Sequence, residues 1–197
     1  MTQGKQSEMI KPNKLNLGCG FKHVEGFLNV DNFPECNPDI MHDLETFPYP
    51  FDSDSVDEII LDNVLEHLGQ TFDIFNGVIK ELYRISKDGA TINIKVPYPR
   101  HDNFLGDPTH VRAIIPNTLA LYDQERNRKW IAEKSANSPL GIIHKVDFRV
   151  GKVTFNLDEK YQKLLENNEV SEDEVRGLIR TSNNVVAEVE MILTAKK

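Results

Sequence analysis

Two stretches of this 197-residue chain concentrate residue types capable of chemistry. The first, "LNLGCGFKHVEGFLNVD" (15–31), sets Gly18 and Gly20 around Cys19 and follows them with Asp31. Glycines at a strand end let the backbone approach a ligand closely, and a carboxylate accepts hydrogen bonds from neighbouring hydroxyls. The second, "RHDNFLGDPTH" (100–110), holds His101, Asp102, Asp107 and His110, with Arg100 and Arg112 flanking. Imidazole beside carboxylate suits general acid–base work, so His110 or His101 is the candidate base and Asp107 the group orienting an imidazole. The Asp107-Pro108-Thr109 run is equally a turn device in which the aspartate bonds local backbone, and both readings stay open. The spacing of the four matches no standard zinc pattern, and no metal is expected.

The elements that must carry these residues follow from periodicity. "KLNLG", "FLNVD" (27–31), "PDIMHDL" (38–44) and the mostly apolar "VDEIILD" (56–62) read as short strands, the last suited to burial on both faces. Phe72, Phe75, Val78, Ile79, Leu82 and Ile85 recur at spacings of three and four, the apolar stripe of a helix that Gly89 is expected to stop. "TINIKVP" (91–97) alternates and is β-branched, so it reads as the next strand. "PNTLALYDQE" offers a short helix with proline in its first turn. "HKVDFRVGKVTFNL" and "NVVAEVEMILTA" are further β-rich stretches. The acidic, helical "DEKYQKLLENNEVSEDEVRGLIR" between them reads as a solvated connection. The alternation predicts an α/β fold with a mostly parallel sheet and an antiparallel strand near one edge. Residues 1–13 read as a lead-in and 14–197 as a single domain, long enough to bury a proper core.

The glycine turn is not a dinucleotide fingerprint. That motif needs a third glycine where this chain has His23, a helix whose N-terminus holds pyrophosphate, and an acid about 20 residues on. Here eight residues, Cys19 to Gly26, separate the first two strands, whereas a helical crossover needs about a dozen or more. The first crossover helix is therefore reduced or missing, and NAD is not the expected cofactor. A nucleoside without a pyrophosphate fits better. S-adenosylmethionine combines an amino acid end, suited to a glycine loop, with a ribose whose two hydroxyls Asp31 can accept. Asp31 itself is expected at an open strand end, with little part in stability.

Residues 14–97 resemble, in order, the class I, Rossmann-like S-adenosylmethionine-dependent methyltransferases of the compact small-molecule type. "LNLGCG" is similar to the cofactor loop, Leu17 to Gly20, and "NVD" to the ribose-binding strand end at Asp31. "HDLETFPYPFDSDSVDEIILDNVLEHL" resembles the segment that sets Asp43 and Leu44 against adenine and Asn63 near the methionine end. "KELYRISKDGATINIKVP" is similar to the helix, turn and fifth strand that follow. The resemblance implies methyl transfer to oxygen or nitrogen of a small-molecule or sugar-like acceptor. Residues 100–112 lie beyond it, and their position after the fifth strand, at the ligand-binding edge, makes them the expected acceptor wall. An aminopropyl transferase or a non-catalytic cofactor-binding module are the alternatives. Asn16 stands where the family often has an acid, and Cys19 reads as a small packing residue. Glu66 and His67 of "DNVLEHL" read as mainly structural.

Composition bounds the partners. A formal charge of −8 argues against binding nucleic acid through its phosphates or lying on anionic lipid. Two cysteines, Cys19 and Cys36, make no disulfide framework or four-cysteine zinc site. No apolar run approaches the roughly 20 residues that span a membrane, and the polar start lacks a signal peptide's apolar centre. A cytoplasmic enzyme is expected, its oligomeric state left open.

Overall fold

The computed structural model describes residues 13–197; most of the 1–13 lead-in lies outside the described residues. Its strands are β1 (Lys14–Leu17), β2 (Leu28–Asp31), β3 (Ile40–Met41), β4 (Val56–Asp62), β5 (Ser86–Pro97), β6 (Phe148–Leu157) and β7 (Val186–Ala195). They form one sheet in the order β3-β2-β1-β4-β5-β7-β6. All pairings are parallel except those of β7, which runs antiparallel to both β5 and β6. The helices are α1 (Phe72–Ile85), α2 (Asp102–Leu105), α3 (Pro116–Ala120), α4 (Gln124–Ala132), α5 (Leu140–His144), α6 (Glu159–Glu166) and α7 (Glu172–Thr181). The order of strands bears out the expected architecture, with no helix between β1 and β2.

Side chains alternate across a strand, so each strand sends one set to each face. Leu15, Leu17, Val30, Ile59, Leu61, Ile92, Ile94, Val189 and Met191 share one buried cluster with the Phe75, Val78, Ile79, Leu82 and Ile85 stripe of α1. The alternate set is largely polar: Asn16, Asn29, Glu58, Asp62, Asn93, Lys95, Glu188 and Glu190. This corrects the reading of β4 as buried on both faces, because Glu58, Ile60 and Asp62 remain part-exposed. A parallel sheet tolerates one open face here because that face is polar.

Two asparagines take over the duty of the missing crossover helix. Asn16 and Asn29 face each other across β1 and β2. The Asn16 amide donates to the Lys22 carbonyl at 2.8 Å and to Asn29 Oδ1 at 2.9 Å. The same Asn29 oxygen accepts from the Val24 N–H at 2.9 Å. The buried pair thus pins the 18–27 loop over the sheet, and Asn16 serves the loop.

Two further expectations change. Helix α1 ends at Ser86, before Gly89, because Ser86 turns extended to pair with Val56 while its hydroxyl donates to the Leu82 carbonyl at 2.7 Å. Phe72, at the start of the stripe, is exposed. The connection between β6 and β7 is more than a solvated link: Val175 is buried, and Ile179 and Arg180 line a cavity of about 540 Å³ with Tyr98 and Arg100. Among the described residues, no helix is long and apolar enough to cross a membrane.

Candidate functional site

At the C-terminal edge of the parallel strands, where open α/β sheets bind ligands, lies a cleft of about 420 Å³. It is lined from four separate segments by Gly18, Asp31 and Asn32, His42 to Glu45, and Asn63, Val64, His67 and Leu68. Five of the residues named from the sequence, Gly18, Asp31, Asp43, Leu44 and Asn63, therefore meet at one cavity. The other three support it from behind. Leu17 is fully buried in the core, Cys19 is buried, and the Gly20 N–H donates to Asp31 Oδ2 at 2.8 Å.

Local backbone explains why glycines stand here. Gly18 has φ +65°, and a Cβ added there would lie 2.6 Å from Val64 Cγ2. Gly20 has φ +48° but open space around it. Asn63 is left-handed as well, at φ +55°, with its N–H donating to the Lys95 carbonyl at 2.8 Å. Asp31 is not at an open strand end. Its Oδ2 holds Gly20 and its Oδ1 accepts the Phe33 N–H at 2.9 Å, so the carboxylate ties the glycine loop to β2. Each oxygen keeps a second lone pair for a ligand. Burial, with Cys36 and Asp31 alongside, pushes the Cys19 thiol up to about 12, which keeps it protonated and inert.

His42 was not singled out from sequence, yet it lines the same cleft. Its Nε2 is buried with no hydrogen-bond partner, and its ring meets Tyr49 edge-on at 5.3 Å. Its only sequence signal is adjacency to Asp43.

A second group of polar residues adjoins the cleft. The backbone N–H groups of Val111 and Arg112 donate to the Glu66 carbonyl, which straps the 107–112 segment onto the 3-10 turn Leu65–His67. This brings the His110 ring to 4.6 Å from that of His67. Asp107 makes the turn bonds of its second reading, and no hydrogen bond joins it to an imidazole. Its Oδ1 accepts from the Thr109 hydroxyl at 2.6 Å and the Thr109 N–H at 2.8 Å, bonds that hold its carboxyl below the usual range. Its Oδ2 lies 3.9 Å from His110 Nε2.

His101 is not brought to this group. Its Nδ1 accepts from the Asn103 N–H at 3.0 Å, capping α2, and its Nε2 faces Asp158 Oδ2 at 3.2 Å. With both ring nitrogens engaged, it anchors the loop and is no free base. Asp102 is likewise tied to Asn184. The carboxyl of Glu66, read from sequence as structural, is the unexpected feature. It is almost fully buried, neither oxygen has a hydrogen-bond partner, and burial pushes it up to about 7.

No protein-family model matches the chain, and no curated protein matches its sequence. Solved structures do match in fold. A S-adenosylmethionine-dependent methyltransferase from Archaeoglobus fulgidus is 23% identical, covering 93% of this chain and 85% of that one, with TM-score 0.59. A second, from Methanosarcina mazei, is 12% identical over 93% and 92% of the two chains, with TM-score 0.53. The [4+2]-cyclase SpnF, at 12% identity, covers 94% of this chain and 75% of its own, also at TM-score 0.53. The chain therefore has the fold of the class I S-adenosylmethionine-dependent methyltransferases, and that fold also houses a cyclase.

Proposed function

We propose that this chain binds S-adenosylmethionine and transfers its methyl group to an oxygen or nitrogen of a small-molecule or sugar-like acceptor. The observation that carries the reading is the convergence of Gly18, Asp31, Asp43, Leu44 and Asn63 on one cleft of a methyltransferase fold. The cleft fits such a cofactor. Its glycine loop leaves space at Gly20 where a side chain would stand, and no helix follows to hold a pyrophosphate. Bound there, the cofactor supplies a methyl group on a positively charged sulfur, already activated for transfer.

The chain's own part is to position and to move a proton. Asp31 offers its free lone pairs to the ribose hydroxyls, Asp43 and Leu44 border the adenine, and Asn63 faces the amino acid end. His42 adds a ring nitrogen on the adenine side. The His67–His110 pair beside the cleft takes up the acceptor's proton. The cavity between Tyr98, Arg100 and α7 lies at the same sheet edge, and Arg180 lines it too.

Calorimetry tests the reading. S-adenosylmethionine and its demethylated product are expected to bind one per chain, and NAD is expected not to displace them. Competition by NAD at similar affinity would overturn it. Asp31→Ala is expected to weaken cofactor binding by about 1.5 to 3 kcal/mol, because a charged acceptor of two hydroxyls is lost. The free protein is also expected to lose about 1 kcal/mol of stability, since the Gly20 and Phe33 N–H groups lose their partner. That corresponds to a melting temperature lower by about 2 to 4 °C for a domain of this size. Unchanged affinity would reduce Asp31 to a loop tie.

A further inference from the structure

We propose that Glu66, His67 and His110 form a binding site for one divalent transition-metal ion of the zinc, cobalt or iron(II) class at the rim of the cofactor cleft. One ligand atom from each of the three lies within 4.8 Å of the others. Ligands about 2.1 Å from a tetrahedral ion stand about 3.4 Å apart, so closure needs side-chain shifts of about 1 Å.

The hydrogen-bond network sets both rings for ligation. The Thr109 hydroxyl has one proton, committed to Asp107 Oδ1 at 2.6 Å. Its contact with His67 Nδ1 at 3.0 Å therefore has the ring N–H donating and the hydroxyl accepting. The Phe104 carbonyl can only accept, so His110 Nδ1 donates to it at 2.8 Å. In both neutral rings the lone pair is then on Nε2. A ring N–H held by a hydroxyl or a carbonyl, with the opposite nitrogen free, is how metal-binding histidines are oriented.

Glu66 supplies the observation that a packing role leaves unexplained. Its side chain is 1% exposed, its Oε1 lies 3.9 Å from His67 Nε2, and both oxygens lack a hydrogen-bond partner. A buried carboxyl is normally paired, bonded to donors or bound to a metal. Neither imidazole has an Nε2 proton to offer it, so a cation between the three satisfies all of them together. Two imidazole nitrogens and one carboxylate form a donor set that suits these ions and leaves positions open. The His67 side chain, 35% exposed, borders the cleft and gives a way in.

The other cluster of this kind, Cys19, Asp31 and Cys36, is already partnered. Both Asp31 oxygens accept backbone N–H groups, and Cys36 Sγ donates to the Phe33 carbonyl at 2.9 Å. The metal site stands on its own three residues; only its use rests on the methyl-transfer reading. In that use an acceptor hydroxyl takes an open position on the ion and releases its proton to water more readily, a route that replaces proton uptake by the two rings because the ion occupies their Nε2 lone pairs. Spacing in the sequence hid the site because its ligands come from positions 66, 67 and 110, two of which read as packing residues.

The test is metal binding by the tag-free, chelator-stripped full chain. Cobalt(II) is titrated under visible absorption and zinc(II) in calorimetry. One equivalent is expected, with the absorption bands of a four- or five-coordinate cobalt ion and a higher melting temperature. Glu66→Gln is nearly isosteric, and His110→Asn keeps a donor for the Phe104 carbonyl. Each is expected to weaken zinc binding by about tenfold or more, with Cys36→Ser unchanged. Absence of a saturable site in the wild-type chain overturns the proposal, as does a site whose zinc affinity Glu66→Gln and His110→Asn leave unchanged, whatever Cys36→Ser does. The stripped protein is also titrated with S-adenosylmethionine. Cofactor binding without metal binding overturns the metal site alone, and metal binding without cofactor binding overturns the methyl-transfer reading alone.

Discussion

His110→Ala is expected to cut turnover on the order of a hundredfold or more while cofactor affinity stays within about twofold. The His110 ring lies beside the cleft without lining it, next to His67, which does line it. Its Nδ1 is committed to the Phe104 carbonyl, so only Nε2 can serve the acceptor, as a base or through a bound ion. The ring also stacks on Phe104 at 5.2 Å, so alanine removes packing as well as chemistry. His110→Asn separates the two. An asparagine amide can keep the bond to Phe104 but offers nothing in place of Nε2. Both variants are expected to lose turnover, and only the alanine variant to melt earlier. The assay is uptake of labelled methyl, after a screen of alcohols, amines and sugars for an acceptor. A large loss of cofactor affinity in His110→Asn would place the residue in the cofactor pocket and end its assignment to the acceptor.

Gly18→Ala is expected to destabilise the protein by about 2 to 5 kcal/mol, from left-handed backbone strain of about 1 to 2 kcal/mol plus overpacking of about 1 to 3 kcal/mol. The new methyl would stand 2.6 and 2.7 Å from the two Val64 methyls, and Val64 is buried. Moving Val64 also displaces a wall of the cleft, so cofactor affinity should fall with stability. Gly20→Ala is the control. It has comparable backbone strain at φ +48° but no neighbour within 4 Å, so its loss should be confined to about 1 to 2 kcal/mol. Urea unfolding measures both. Trimming the obstacle in Gly18→Ala/Val64→Ala should recover part of the loss, a coupling of the sign expected for atoms in contact. Equal losses at the two glycines would show that Val64 sets no limit here.

Periodicity carried most of the fold. The stripe from Phe75 to Ile85 needs only a 3.6-residue repeat to be seen, and the short link from Cys19 to Gly26 rules out a helix by length alone. The corrected end of α1 and the corrected reading of the β6–β7 connection have a common cause. Ser86 leaves the helix because Val56 offers it a strand partner, and α7 lines a cavity with Tyr98 and Arg100 because β7 runs antiparallel and starts beside the end of β5. Both depend on neighbours remote in sequence, which local propensity does not record.

By itself, the sequence determined the parallel α/β order, the absence of the pyrophosphate-binding helix, and the glycine and acid residues that meet at the cleft. Those features are local: strand lengths, loop lengths, and left-handed positions that glycine accepts without penalty. Only the tertiary structure decided which histidine joins the cluster beside the cleft and which anchors a loop. His101 and His110 carry the same side chain nine positions apart. One is drawn to Asp158 and caps a helix, and the other is strapped by the Glu66 carbonyl against His67. A side chain's chemistry is set by the groups left unpaired around it, and the buried, partnerless carboxyl of Glu66 exists only once segments 40 residues apart are folded together.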